Sequence, residues 1–150
     1  MQQLVAPLLL HEGGLAHELR PSVMRLARRL RQMRDDSVDL NSNQLSAMSV
    51  LLNSGDQLMG ELAAAEKVQP PSMTRVIAVL EERSLVLRSP HPTDRRQVIL
   101  TVTGEGRAVV QRVRRRKDAW LAQRLAELTT EERAALRAAV PILEKLSQSS

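Results

Sequence analysis

DQLMGELAAAEKVQPPSMTRVIAVLEERSLVLRSPHPTDRRQVILTVT, residues 56–103, is the stretch that decides how this chain folds. Its first part reads as a helix over roughly Gln57–Glu66, with Leu58, Leu62 and Ala63 facing inward. Val68-Gln69-Pro70-Pro71 marks a turn, and proline suits the first turn of a helix, where its missing N–H is no loss. Met73, Val76, Ile77 and Leu80 then recur at i, i+3, i+4 and i+7, the spacing of one buried helical face. Leu85 to Ser89 and Gln97 to Val102 have strand character, and the segment between them, Pro90-His91-Pro92-Thr93-Asp94-Arg95-Arg96, is rich in turn formers and charge. The order is helix, tight turn, helix, hairpin.

The inner face of the second of these helices is fully used, which leaves Ser72, Thr74 and Arg75 facing outward in its first turns. Serine and threonine can contact base or phosphate, and arginine reads guanine edges with two hydrogen bonds. Pro70 and Pro71 leave the helix N-terminus free to approach a phosphate, where the dipole helps. Such helix pairs are common and their outward residues are often only solvated. The hairpin that follows changes the balance, because two adjacent arginines, Arg95 and Arg96, suit insertion into a narrow minor groove. Asp94 can pair with an arginine and hold the loop in shape, or serve simply as a turn former; the sequence leaves both open. Glu81, Glu82 and Arg83 lie at the far end of the helix, away from a groove.

Outward from this stretch the chain is helical. Residues 1–14 look like an arm ending at His11-Glu12-Gly13-Gly14. Leu19, Val23, Leu26, Leu30 and Met33 step by four and three, which predicts a helix with one buried seam; Arg25, Arg28, Arg29, Arg31 and Arg34 lie off it, and Pro21 sits near its start or bends it. Asn41-Ser42-Asn43-Gln44 has the form of a capping box before a helix burying Leu45, Met48 and Leu52, which Ser54-Gly55-Asp56 ends. Thr103 caps a long helix to about Glu127, with Val109, Val110, Val113, Trp120, Leu121 and Leu125 apolar. Thr129-Thr130-Glu131-Glu132 is a second capping box, opening a helix with Leu136, Val140, Leu143 and Leu146 and a kink expected at Pro141. Arg112, Arg114, Arg115, Arg116 and Lys117 read better as a solvated face paired with acids such as Asp118 than as phosphate contacts.

Composition narrows the classes. Aromatics are 1%, all of it Trp120, so the core is aliphatic, which suits packed helices better than a sandwich. A net charge of +5 favours a polyanionic partner. The absence of cysteine excludes disulfides, thiolate metal sites, cysteine nucleophiles and thiol redox sensing. No apolar run is long enough to span a bilayer, and Leu4 to Leu10 lacks the flanks of a signal peptide, so the expectation is a cytoplasmic protein. His11, His17 and His91 form no metal or triad signature, and no phosphate-binding glycine loop, GxSxG or HExxH occurs; no enzyme activity, cofactor or metal is expected.

Residues 40–103 resemble the winged helix-turn-helix of the MarR family of bacterial transcription regulators. The resemblance is carried by Leu80-Glu81-Glu82-Arg83-Ser84-Leu85-Val86-Leu87-Arg88, by Asp94-Arg95-Arg96 and by Leu100-Thr101-Val102-Thr103-Gly104-Glu105-Gly106, and the flanking helices extend it over nearly the whole chain. It implies a mainly α fold with a small β-hairpin wing, a winged helix-turn-helix (residues 40–103) flanked by dimerisation helices (1–38 and 104–150) in one domain. It also implies a homodimer on a palindromic operator, with the fourth helix in the major groove and the wing in the minor groove. By position Arg96 matches the family's minor-groove arginine, Asp94 its partner, and Thr74 and Arg75 the recognition-helix positions; Gln69, Pro70, Ser72, Arg88 and Arg95 complete the expected DNA-contacting set. The family usually has glycine where Ser84 stands, so a strained or altered turn is expected there.

Regulation by repression, with or without a small-molecule effector, is the working expectation. His17, Arg20, Met24, Met48 and Trp120 could line an effector pocket, although methionines at helical spacing are usually core filler. The alternative reading is a winged-helix module that binds another protein without specific DNA binding, since fold does not fix function.

Overall fold

Asn41 and Gln44 bond each other's backbone N–H groups, both at 2.9 Å, and so start the second helix of the chain where the capping pattern places it. The computed structural model describes residues 6–33 and 38–149, with side chains from residue 13 onward. Its elements are α1 (Ala6–Gln32), α2 (Ser42–Ser54), β1 (Gln57–Leu58), α3 (Met59–Ala65), α4 (Pro70–Glu82), β2 (Val86–Pro90), β3 (Val98–Val102), α5 (Gly104–Ala126) and α6 (Thr130–Ser147). This is the mainly helical, hairpin-bearing architecture that the pattern predicts. Two compact units can be described, Met1–Gln111 and Arg112–Ser150.

The core of the first unit is aliphatic throughout. Ala47, Met48 and Leu51 of α2 meet Leu62 and Ala63 of α3 and Met73, Ile77 and Leu80 of α4. Leu85, Val86 and Leu100 seal it from the wing side, and Val109 and Val110 of α5 join it. The three α4 residues are those of the predicted stripe; Val76 is only half-buried.

Three expectations are corrected. The helix foreseen over Gln57–Glu66 begins only at Met59, because Gln57 and Leu58 form β1 and pair with Leu100 and Ile99 of β3. The sheet order is β1-β3-β2, so β1 covers an edge of β3 that a two-stranded wing would leave unpaired. Gly55, at φ +80, turns the chain out of α2 into this extended pair. The supposed arm is helical from Ala6, and Gly13, Gly14 and Pro21 all lie inside α1; glycine weakens a helix interior by only about 1 kcal/mol, which a long helix tolerates. The side chains of residues 6–12, and Arg34, lie outside the described residues. The α1 seam is not buried in the single chain either: Val23 and Leu26 are exposed, and Leu19, Leu30 and Met33 only half-buried.

In the second unit Thr129 and Glu132 close the expected capping box, and α6 continues through Pro141 to Ser147. No described residue of α6 is buried; Leu136, Val140, Leu143 and Leu146 stand exposed. Arg112, Arg114 and Arg116 of the basic run each have an interaction partner.

The end of α4 shows what the departure at Ser84 does. Ser84 takes φ 57, the left-handed region that disfavours side chains. It does so because the helix closes in a Schellman motif, Leu85 N–H donating to the Leu80 carbonyl at 2.9 Å and Ser84 N–H to the Glu81 carbonyl at 3.0 Å. The next residues lock to the start of α5. The Thr103 hydroxyl donates to the Ser84 carbonyl at 2.8 Å and accepts from Gly106 N–H at 3.0 Å, while Thr103 N–H donates to the Leu85 carbonyl at 3.0 Å. A Cβ at Gly106 would collide with that Leu85 carbonyl oxygen and press on Val102, so only glycine fits there. Ser84→Gly is therefore expected to raise unfolding stability by about 0.5–1 kcal/mol in urea titration. Gly106→Ala should lower it by about 1–3 kcal/mol by forcing the two segments apart.

Candidate nucleic-acid interface

The recognition surface begins where α4 begins. Pro70 and Pro71 occupy its first positions and have no N–H, and the Ser72 and Met73 N–H groups both donate to the Gln69 carbonyl, at 3.0 and 3.2 Å. This corrects one part of the sequence reading: the helix entrance holds few free backbone donors for a phosphate, so contact there falls to side chains and the dipole alone. Gln69, Pro70, Ser72, Thr74 and Arg75 are all exposed, as the outward-face argument requires. The Thr74 hydroxyl donates to the Pro70 carbonyl at 3.0 Å, which commits its proton and leaves its oxygen to accept. Among the described residues, Arg75 is exposed and forms no ion pair.

The wing is a five-rung antiparallel ladder from Val86↔Val102 to Pro90↔Val98. Its tip is organised by two side-chain acceptors. The His91 ring nitrogen Nδ1 accepts the backbone N–H groups of Thr93 and Asp94, at 3.2 and 3.1 Å. Asp94 Oδ1 in turn accepts the backbone N–H of Arg96 at 3.0 Å, over a turn closed by Gln97 N–H to the Asp94 carbonyl at 3.1 Å. The two readings of Asp94 are thus decided for the isolated chain: it shapes the loop through the main chain rather than by pairing with a guanidinium. Arg95 and Arg96 remain exposed and, among the described residues, without an ion pair.

Arg88 is placed differently from the other candidates. Its Nε donates to Glu81 Oε2 at 3.2 Å, so it ties the first wing strand to the last turn of α4. Arg83 ties the same turn to the segment before α2, its guanidinium donating to the Asp39 carbonyl at 2.6 Å and to Asp39 Oδ2 at 3.3 Å. Sequence reading had set Glu81 and Arg83 aside as remote from DNA. Their neighbours along the chain gave no signal, because their partners lie seven and forty-four residues away.

The expected effector residues are scattered in burial. His17, Arg20 and Met24 are exposed on α1, and Met48 is sealed in the lobe core. Trp120 belongs to the second unit, with the Arg124 guanidinium 6.0 Å from its ring centroid. A recess of about 330 Å³ opens elsewhere, between the end of α1 and the start of α2, lined by Arg28, Arg31, Gln32, Met33, Leu40, Ser42 and Leu45. Among the described residues no group of three or more His, Asp or Glu side chains could hold a metal ion.

Residues 40–98, the lobe that carries this surface, match the family model described as the MarR family. An HTH-type transcriptional regulator of Mycobacterium bovis is 45% identical over 139 residues, covering 93% of this chain and 96% of the relative. The chain belongs to the MarR family. The HTH-type transcriptional repressor MdtR of Bacillus subtilis is 31% identical over 107 residues, 71% of this chain and 67% of the relative. A MarR family protein from Bacillus stearothermophilus shares the fold, with a TM-score of 0.76 at 22% identity over 93% of this chain and 96% of that one. Bordetella bronchiseptica BpsR, whose DNA binding is regulated by 6-hydroxynicotinic acid, aligns with a TM-score of 0.63 at 27% identity over 90% and 99% of the two chains. This MarR-family chain is thus a DNA-binding transcription regulator with a winged helix-turn-helix, and its family acts by binding rather than catalysis. No described helix is long and apolar enough to cross a membrane.

If Asp94 acts on the backbone, Asp94→Ala should loosen the wing tip. Affinity for target duplex is expected to fall about three- to tenfold in anisotropy titrations, with unfolding stability changed by less than about 1 kcal/mol. Asp94→Asn, which keeps the acceptor, should bind nearly as tightly as wild type.

Proposed function

We propose that this regulator is a cytoplasmic homodimeric repressor that reads a palindromic operator. In this reading α4 lies in the major groove, where Arg75 meets base edges and Gln69, Pro70, Ser72 and Thr74 meet backbone or bases, and Arg95 and Arg96 enter the adjacent minor groove. Arg88 serves by fixing the wing to α4. The observation that carries this is the trio of exposed arginines that form no ion pair among the described residues, Arg75 on the outer face of α4 and Arg95 and Arg96 at the wing tip. Elsewhere on the lobe, Arg83 and Arg88 are matched by carboxylates.

The dimer part of the reading rests on apolar surface. Val23 and Leu26 on α1 are exposed, as are Leu136, Val140, Leu143 and Leu146, which recur at steps of four and three on α6. Single exposed apolar residues are normal, but a sustained helical stripe belongs against a partner. Residues 1–38 and 104–150 are accordingly assigned to dimerisation and residues 40–103 to DNA. Two such lobes would meet half-sites about one helical turn apart, roughly 34–36 Å.

Relief by a small effector completes the proposal, with BpsR as the precedent. The recess beside Arg28 and Arg31 offers cations next to the apolar side chains of Met33, Leu40 and Leu45, which suits a small organic anion. It is preferred to the set around His17 and Trp120 because Met48 of that set is closed off inside the core.

Selection from random duplexes at moderate salt, followed by sequencing, tests the reading. A palindromic consensus with half-sites one turn apart is expected; no enrichment at any salt would overturn it in favour of a protein-binding module. On the consensus, Arg96→Ala should weaken binding to all sites and lower the salt slope by about 1 to 2. Arg75→Ala should cost about ten- to a hundredfold and also alter which base is preferred in each half-site.

A further inference from the structure

The one histidine on the wing carries a role that the arginines beside it do not explain. His91 sits at the foot of the tip, half-buried, and its own N–H donates to the Gln97 carbonyl at 3.2 Å to close the hairpin. Its ring nitrogen Nδ1 faces the backbone N–H groups of Thr93 and Asp94, with the Thr93 hydroxyl 3.3 Å away. A nitrogen that accepts from two N–H donors uses its lone pair, so these capping bonds require Nδ1 to carry no proton. This cap comes first in a chain of two: His91 fixes Thr93 and Asp94, and Asp94 then fixes Arg96.

We infer that His91 is a positioning residue for the wing arginines, and that its capping bonds, which only the neutral imidazole can make, render DNA binding sensitive to acid. The inference rests on the reading of the wing as a DNA contact. Its chemistry is simple. Histidine is the side chain that ordinarily gains charge between pH 5 and 8. Protonation puts an N–H where the lone pair was, so three donors converge and the cap opens. The loop's own charged groups are Asp94, Arg95 and Arg96; Ser89, Pro90, Gln97 and Val98 on the flanking strands carry none, and Arg88 on β2 is engaged by Glu81. The added charge near phosphate is a gain of at most one contact per wing, whereas an opened tip misplaces two arginines; net binding weakens.

Asparagine gives a sharp test, because its Oδ1 stands the same number of bonds from the backbone as histidine Nδ1 and accepts at every pH used. At constant ionic strength, wild-type affinity for the selected consensus duplex is expected to fall about three- to tenfold from about pH 8 to about pH 5.5 relative to His91→Asn. That variant should match wild type at the higher pH within about twofold, and His91→Ala should be weak at both. Taking the ratio to His91→Asn cancels the titration of His11 and His17. In the DNA-free protein, the amide resonances of Thr93 and Asp94 should move with the His91 ring titration. An acid response in His91→Asn equal to wild type, or amides that ignore the ring, would overturn the inference. Arg96→Ala run alongside separates the two readings. If it binds as wild type, the wing reading falls and takes this one with it; if it weakens binding while His91→Asn keeps the wild-type acid response, only the role of His91 falls.

Discussion

The Ser84 and Leu85 carbonyls, both bonded by Thr103, fix the geometry on which the rest of the reading surface depends. At this one point the end of α4, the start of the wing and the start of α5 are held within hydrogen-bond distance. The order of constraints is strict. α4 must stop, and it stops in a Schellman motif that forces Ser84 to a positive φ. Leu85 and Val86 can then turn into the core, and the hairpin leaves at the angle that this turn allows. Thr103 returns the chain to the same carbonyls while its hydroxyl accepts from Gly106 N–H, and the close approach is possible only because Gly106 has no side chain to fill the gap. Glu81–Arg88 and Arg83–Asp39 brace the same helix end from two sides. Being partly exposed, each contributes little stability by itself; what they add is direction, limiting how far the wing and α4 can swing.

This arrangement separates the part of the molecule that must be rigid from the part that must be available. Met73, Ile77 and Leu80 spend one face of α4 on the core, and the opposite face is left with Ser72, Thr74 and Arg75 in water. The wing repeats the division along its length. Val86 and Leu100 are buried at its base, and Arg95 and Arg96 are exposed at its tip. A cation that is already paired must break a bond before it can meet a phosphate; Arg75, Arg95 and Arg96, with no ion pair among the described residues, would meet one without that cost.

Much of this was legible in the sequence, and for reasons that differ by element. The two capping boxes close within three residues, and the α4 stripe and the wing strands announce themselves by period and flanking turn formers even though their partners lie farther off, so local pattern was enough. Ser84 stood out through the resemblance to a family that usually has glycine at that position, and not through spacing. What escaped was whatever depends on a distant partner. Gln57 and Leu58 have helical neighbours, and only β3, some forty residues on, makes them a strand. Glu81 and Arg83 read as charges remote from DNA, and Arg88 as a DNA contact, and neither reading could show that Arg88 pairs with Glu81 and Arg83 with Asp39. The α1 seam was correct as a stripe but is not buried within the single chain, because periodicity records that a face is apolar and not what covers it.

The wing tip carries the argument one step further. Asp94 and His91 do the same mechanical work, each accepting main-chain N–H groups a few residues ahead, yet they differ in what can undo it. A carboxylate keeps its lone pairs across the neutral range, and an imidazole does not. Had the first acceptor been another aspartate or an asparagine, the tip would hold its shape regardless of pH. In the role proposed for His91, the presentation of Arg95 and Arg96 is conditional on a proton, through bonds that lie outside the proposed contact surface. A loop with no buried core of its own has only such bonds to fix its conformation. The identity of a capping residue there governs not simply the stability of the turn but whether the cations beyond it are held where a groove can receive them.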